Sequence, residues 1–431
     1  MDTIPGFRYV DGRLAASGVP LERVLGAVGS AWVYDAAAFD ARAAALVKAF
    51  DPSWARPCYA VKANTNPALL ARARKHGLGA EVSSGGELKL ALDSGFDPAK
   101  LVLNGNGKTT VELTYAIQCG IGFVSADSPA ELARLDAAAR EVGRTQRVLL
   151  RVNPDVDPHT HPYIATGLKE SKFGMTPIEA LGACARAKSY ANLVIAGLHV
   201  HIGSQLMDLA PLEAALAETI EIVDAGRASG ALLDTLDLGG GFGIDYEGNG
   251  ATFPVEGYAR RVREPVTSRN LFAMVEPGRF VAGSAGALVG RVLDVKKGPA
   301  RTFVVLDLAM NDLLRPSLYD AFHRIVPLNE PLVASAPLVA DVVGPICESG
   351  DCLARERALP PLAPGDGVAI LDAGAYGYTM SSNYNGRPRL PEVLLDKGEM
   401  RLIRRGETLE DLARLAVDEP IASSREAAAS K

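Results

Sequence analysis

The chain has 431 residues, which is long for one ordinary domain and enough for two or three units with sizeable cores. Hydrophobic residues make up 48% of it and charged residues 22%, a globular balance that confines disorder to the ends. The formal net charge is -6 and the two signs are interspersed, which excludes the basic footprint of a nucleic-acid partner. The opening MDTIPGFRYV has neither a basic n-region nor an apolar h-region, and no stretch is apolar over a bilayer-spanning length. No membrane partner is expected, and the default location is cytoplasmic. Cys58, Cys119, Cys184, Cys347 and Cys352 are odd in number and scattered, as free thiols in a reducing compartment are. Cys347 and Cys352 have no matching pair or histidine cluster, so no metal site is expected.

In chain order, residues 1–34 contain short strand-like pieces, FRYV and AWVY, that precede the main body. From residue 35 to 279 short apolar strands alternate with Ala-rich helices. CYAV (58–61) is followed by a helix from Pro67 to Lys75 that Asn66 can cap and Gly77 can end. Further strands are predicted at 101–103, 122–124, 147–152, 195–200, 235–239 and 272–277, with helices such as SPAELARLDAAAREVG and APLEAALAETIEIVDAGRASG between them. Strand then helix, repeated about eight times, predicts an α/β fold of the (β/α)₈ TIM-barrel type. A doubly wound sheet would gather its polar chemistry at one glycine-rich turn. Here Lys62, His201, Gly239–Gly241 and Glu276 sit at the C-terminal ends of different strands, which is the barrel pattern. From residue 280 to 418 the texture becomes strands punctuated by Gly and Pro, predicting a second, C-terminal β domain with which the N-terminal segment can pair. Residues 419–431 are small and polar, a frayed tail.

Three segments carry chemistry. YAVKANTNP puts Lys62 at a strand end, where a desolvated ammonium would fall in pKa and become a usable nucleophile. DLGGGFGIDY follows a strand with Gly239, Gly240 and Gly241, whose backbone can approach a phosphate closely and aim N–H groups at it. No GK[ST] follows, so this is not a Walker A loop. VEPGRF adds Glu276, Gly278 and Arg279; such a carboxylate can keep an aromatic nitrogen protonated, and the arginine can pair with an anion. His159 and His161, two apart in a Pro-containing loop, are read as solvent or loop contacts, His76 as a helix-end residue, and Trp32 and Trp54 as packing.

GLHVHIGSQ, MNDLLRPSLYDAFH, GPICESGD, SGDCLA and DAGAYGYTMSSNYNGRPRLPEVL resemble the signature segments of bacterial diaminopimelate decarboxylases. These belong to the alanine-racemase-like, ornithine-decarboxylase-like branch of pyridoxal-phosphate enzymes. The resemblance runs from about residue 57 to residue 394 and implies an alanine-racemase-like barrel plus β domain with pyridoxal 5'-phosphate as cofactor. It implies that Lys62 holds the cofactor as a Schiff base, that His201 stacks on its ring, and that Ser204 and Gly239–Gly241 lie at its phosphate. Glu276 would meet the ring nitrogen, Gly278 and Arg279 the phosphate and substrate, and Tyr376 the phosphate. Glu81, Glu87 and Arg151 would support the cofactor. Arg315 and Tyr319 would receive the distal carboxylate of the substrate. Cys347 and Glu348 would be supplied across the interface of a homodimer with shared active sites. Either Cys347 or Lys62 would deliver the proton that replaces CO₂. The implied reaction is loss of CO₂ from meso-2,6-diaminopimelate to give L-lysine. Ala309 and Val200 depart from residues usual in the family and touch none of these roles.

Overall fold

The computed structural model describes residues 6–154, 172–330 and 337–418. His159, His161 and the tail from 419 lie outside that range. Eight parallel strands close into a barrel: Ala55–Ala60, Gly79–Val82, Leu101–Leu103, Phe123–Ala126, Gln146–Val152, Leu193–Val200, Thr235–Asp237 and Phe272–Val275. The last pairs back with the first through Ala273 and Ala55. Gly79–Val82 is absent from the strands predicted above, because GAEV holds a glycine and a buried acid where an apolar run would signal a strand. Several predicted strand ends shift by one to three residues, as for Ala55–Ala60 against 58–61.

The barrel interior explains where the polar residues go. Cys58, Val102, Phe123, Leu149, Ala196 and Met274 form one buried cluster inside it. Side chains alternate along a strand, so positions two further on point the same way. Above Val102, Phe123, Leu149 and Met274 this places Asn104, Ser125, Arg151 and Glu276. An apolar plug therefore carries a polar layer on its C-terminal side, where the loops converge.

The helices have the caps their sequences offer. Asn66 accepts from Ala68 N–H ahead of Pro67–Lys75, and Ser128 accepts from Glu131 N–H ahead of Pro129–Val142, which Gly143 ends at a φ of 72°. Directly after the last barrel strand comes only a four-residue helix, Arg279–Ala282. Helix Ala36–Ala49, before the first strand, packs between Pro67–Lys75 and Val255–Thr267 and closes the outer ring.

The second sheet runs Cys352–Leu359, Leu338–Val343, Thr302–Leu306, Gly286–Lys297, Ala31–Asp35, Glu392–Asp396, Glu399–Arg404, with Gly367–Ile370 and Ile325–Pro327 branching from Gly286–Lys297. The AWVY strand lies inside it, antiparallel to Gly286–Lys297 and parallel to Glu392–Asp396. FRYV instead joins a small three-stranded sheet of its own with Arg13–Ala16 and Val19–Pro20. That sheet reaches the larger one through Leu14 N–H to the Leu328 carbonyl at 2.7 Å. Trp32 and Trp54 are buried packing residues, and His76 caps the C-terminus of its helix. Among the described residues no helix is long and apolar enough to cross a membrane.

Candidate active site

The loops at the C-terminal end of the barrel and the adjoining β sheet enclose a cavity of about 600 Å³. It is lined by Lys62, Glu81, Arg151, His201, Ser204, Gly240, Gly241, Glu276, Gly278, Arg279, Arg315, Tyr319 and Tyr376, residues spread over 315 positions of sequence. Lys62 follows the first barrel strand, and its Nζ donates to Glu81 Oε2 at 2.8 Å. Ser83 Oγ holds the other oxygen of Glu81 at 2.8 Å. Burial alone would lower the Lys62 pKa, as the sequence suggests. Glu81, with Tyr376 and Glu276, outweighs burial, and the net shift is upward. That corrects the expectation of a depressed amine: Lys62 is held as a positioned ammonium. Glu87 stands behind this pair and accepts from Ser83 N–H at 2.7 Å; burial and the Glu81 charge push its carboxyl up to about 7.

A cluster of polar groups forms part of the cavity wall. Glu276 Oε1 accepts from Asn104 Nδ2 at 2.7 Å, while its Oε2 lies 3.6 Å from His199 Nε2. One atom each of His199, Asp237 and Glu276 lie within 4.8 Å of one another, all buried. Burial and mutual repulsion push the Glu276 carboxyl well up, and burial raises Asp237 as well. His199 is buried and bonded to Ser125 Oγ at 2.8 Å; burial and the Arg151 charge hold it neutral. The acid pair therefore retains a proton near neutrality, and a basic aromatic nitrogen placed there would find an acid ready to hold it protonated. His199 Nε2 and one oxygen of Asp237 have no hydrogen-bond partner, though both are buried.

The glycine loop is set by close approach. An added Cβ at Gly239 would lie 2.5 Å from the Val200 carbonyl oxygen, at Gly240 2.3 Å from that of Glu276, and at Gly241 2.4 Å from that of Gly203. Gly239 and Gly241 also take φ of 63° and 96°. The N–H groups are less free than the sequence suggests. Gly239 N–H donates to Asp237 and Gly240 N–H to His201 Nδ1 at 3.2 Å, so two of the three donors are engaged internally. That second bond makes Nδ1 an acceptor and fixes the tautomer of His201, whose pKa burial and the Arg151 and Lys62 charges lower to about 3. Arg279 donates to Ser204 Oγ at 2.9 Å and to Tyr246, and its guanidinium lies over the Tyr376 ring at 5.0 Å. Arg315 lies over the Tyr246 ring at 5.0 Å, a ring that Arg279 also approaches at 5.7 Å.

Cys347 and Glu348 do not join the cavity. Cys347 is exposed on the β sheet side, its N–H bonded to Asn385, and Glu348 is exposed beside Tyr384. Gly239 lies behind the lining loop. Asn104, His199, Tyr246 and His323 are members of the site that the sequence reading did not single out. A signal existed for the first: Asn104 follows the apolar LVL as Lys62 follows its own strand. Tyr246 and His323 carry no local signal.

An amine, a buried acid pair, and an arginine, a serine and a glycine bend, gathered at one cavity, are the groups that pyridoxal 5'-phosphate requires, and the residues fit it. The pyridoxal-binding domain of the pyridoxal-dependent decarboxylases matches residues 36–283. The chain belongs to that family, whose cofactor is pyridoxal phosphate. A diaminopimelate decarboxylase of Zymomonas mobilis is 40% identical over 95% of this chain and 97% of its own, and one of Neisseria meningitidis serogroup A is 47% identical over 82% and 86%. The crystal structure of the diaminopimelate decarboxylase of Helicobacter pylori, complexed with L-lysine, superposes with a TM-score of 0.86 at 39% identity, covering 91% of this chain and 98% of that one. Within the decarboxylases the chain is a member of the diaminopimelate decarboxylase family.

Proposed function

We propose that the chain catalyses loss of CO₂ from the D-configured end of meso-2,6-diaminopimelate to give L-lysine, with Lys62 as the cofactor-bearing amine. Pyridoxal phosphate, when bound, supplies the sink for the electron pair left on the α-carbon as CO₂ departs. The observation that carries the substrate is the pair Arg279 and Arg315. Each is 6% exposed, and among the described residues neither forms an ion pair. Buried guanidinium groups without carboxylate partners are anion sites. One of them beside Ser204 suits the cofactor phosphate; the other suits a carboxylate at the far end of the substrate. L-lysine or L-ornithine, used as substrate, has no carboxylate there.

The remaining residues take positions around that frame. Glu276, sharing its proton with Asp237 and held by Asn104, keeps the ring nitrogen protonated. His201, neutral and fixed by Gly240 N–H, would cover the ring face. Glu81 would position the Lys62 side chain in the cavity, and Lys62, when its amine is free, would be a proton source there. Arg151 and Glu87 support this polar layer, and Gly278, Tyr319 and Tyr376 shape the anion end. Cys347 and Glu348 are exposed and outside the cavity, which supports an arrangement in which a second copy of the chain supplies them, so the acting species is a homodimer; free, scattered cysteines support a reducing cytoplasm as its location. The same reading divides the chain into an N-terminal segment (1–34), the barrel (35–279), the β domain (280–418) and the tail.

The test is CO₂ release measured in parallel on meso-, LL- and DD-diaminopimelate, L-lysine, L-ornithine and L-arginine. Strong preference for the meso form is expected. Equal or faster turnover of a substrate without the distal carboxylate overturns the assignment while leaving the decarboxylase class.

A further inference from the structure

Arg315 has a charged neighbour in Arg279, but the groups it bonds to and packs on are neutral, and one of them is fixed in a single protonation state by its own neighbours. His323 is fully buried, with Nδ1 2.9 Å from the Leu371 carbonyl oxygen and Nε2 2.8 Å from Arg315 Nη1. A carbonyl oxygen only accepts and a guanidinium only donates. The proton of His323 must therefore sit on Nδ1, and Nε2 offers its lone pair to Arg315. A second proton would set N–H against N–H. Burial and the Arg315 charge lower its pKa to about 3 in accord with that arrangement. The Leu371 end of the bond is itself anchored, since Leu371 N–H donates to the Arg324 carbonyl at 2.8 Å. Arg315 also lies over the Tyr246 face, against whose ring the imidazole packs edge-on at 5.2 Å.

We propose that His323 is the positioning residue for substrate choice: it aims the Arg315 guanidinium with a neutral acceptor, so the whole positive charge remains for the far carboxylate of the substrate. This rests on the role given to Arg315 above. A carboxylate in place of His323 would hold the guanidinium equally well and would compete with the substrate for its charge. Neutrality of the acceptor, and not the hydrogen bond alone, is what the site requires.

The test uses the holoenzyme and four variants. His323→Asn can keep the Leu371 bond and loses the acceptor toward Arg315. His323→Gln can return a neutral carbonyl oxygen to Arg315, and His323→Glu returns a charged one. Arg315→Ala is the reference. The readouts are KM and kcat for meso-diaminopimelate and the inhibition constants of L-lysine, which as product retains the far carboxylate, and 1,5-diaminopentane, which has none. In His323→Asn, KM and the L-lysine constant are expected to rise about tenfold or more, the loss of one hydrogen bond to a charged group. Its kcat should change less, and diaminopentane should bind as before. Gln should recover part of the loss and Glu should worsen it. Equal weakening of both inhibitors in His323→Asn, or a Glu variant that matches Gln or better, overturns the proposal. If Glu does not fold, Asn against Gln decides alone. If Arg315→Ala leaves the distinction between lysine and diaminopentane intact, the role of Arg315 itself is wrong; if Arg315→Ala abolishes it and His323→Asn does not, only the positioning role falls.

Discussion

Replacing Gly240 with alanine tests whether the glycine bend is dictated by backbone crowding. Gly240 does not need a positive φ, so the argument is one of space alone. The added Cβ would meet Glu276 O at 2.3 Å and Glu276 C at 2.9 Å, both backbone atoms at the end of a barrel strand. Reaching an ordinary contact of 3.4 Å requires those atoms to retreat by about 1 Å in a close-packed interior. The displaced segment carries the Glu276 carboxylate and the Glu276 N–H bond to the Gly239 carbonyl at 2.7 Å. Overpacking of this kind costs about 1–3 kcal/mol. A shift of catalytic groups by about 1 Å costs roughly a hundredfold in rate. Thermal melts, cofactor dissociation constants and kcat on meso-diaminopimelate would be compared with those of Gly26→Ala. Gly26 is exposed in helix Leu21–Val28 with nothing near its Cβ position, so that change should stabilise by up to about 1 kcal/mol and leave kcat alone. A Gly240→Ala protein with the parent's kcat and cofactor affinity would refute the reasoning.

Reduction of the holoenzyme with borohydride should fix the cofactor on Lys62, and recovery of the adduct on another lysine by mass analysis would exclude it. Mixing inactive Lys62→Ala and Glu348→Ala chains under conditions of subunit exchange should restore activity through hybrid dimers with one intact site; no mixture exceeding its parents would exclude shared sites. Glu87, raised from 4.5 to about 7, contributes stability that is present below its ordinary pKa and is lost as pH rises through 7. The cofactor-free Glu87→Gln protein should therefore gain in Tm over the parent by a few degrees between pH 5 and pH 8. A gap that stays constant or narrows would contradict that sign.

Much of the scaffold was legible because it rests on local chemistry. Alternation of apolar strands with capped helices predicts the barrel, since strand and helix periods are properties of adjacent residues. Lys62, the three glycines and Glu276 stand out for the same reason, each at the end of a recognisable strand. Family resemblance supplied the roles of Arg315, Tyr319 and Glu81 that spacing alone does not. What the tertiary structure decided is the set of partners. Asn104 meets Glu276 across 172 positions, and the AWVY strand finds its neighbours at Gly286–Lys297 and Glu392–Asp396. The direction of the Lys62 shift depends on Glu81 standing 2.8 Å away at the end of a strand too short and too polar to announce itself. The neutrality of His323 follows from two neighbours, one 8 and one 48 residues distant. Backbone propensity acts over a few residues and can be read along the chain, whereas the charge state of a buried group is a sum over whatever the closed barrel and its companion sheet bring beside it.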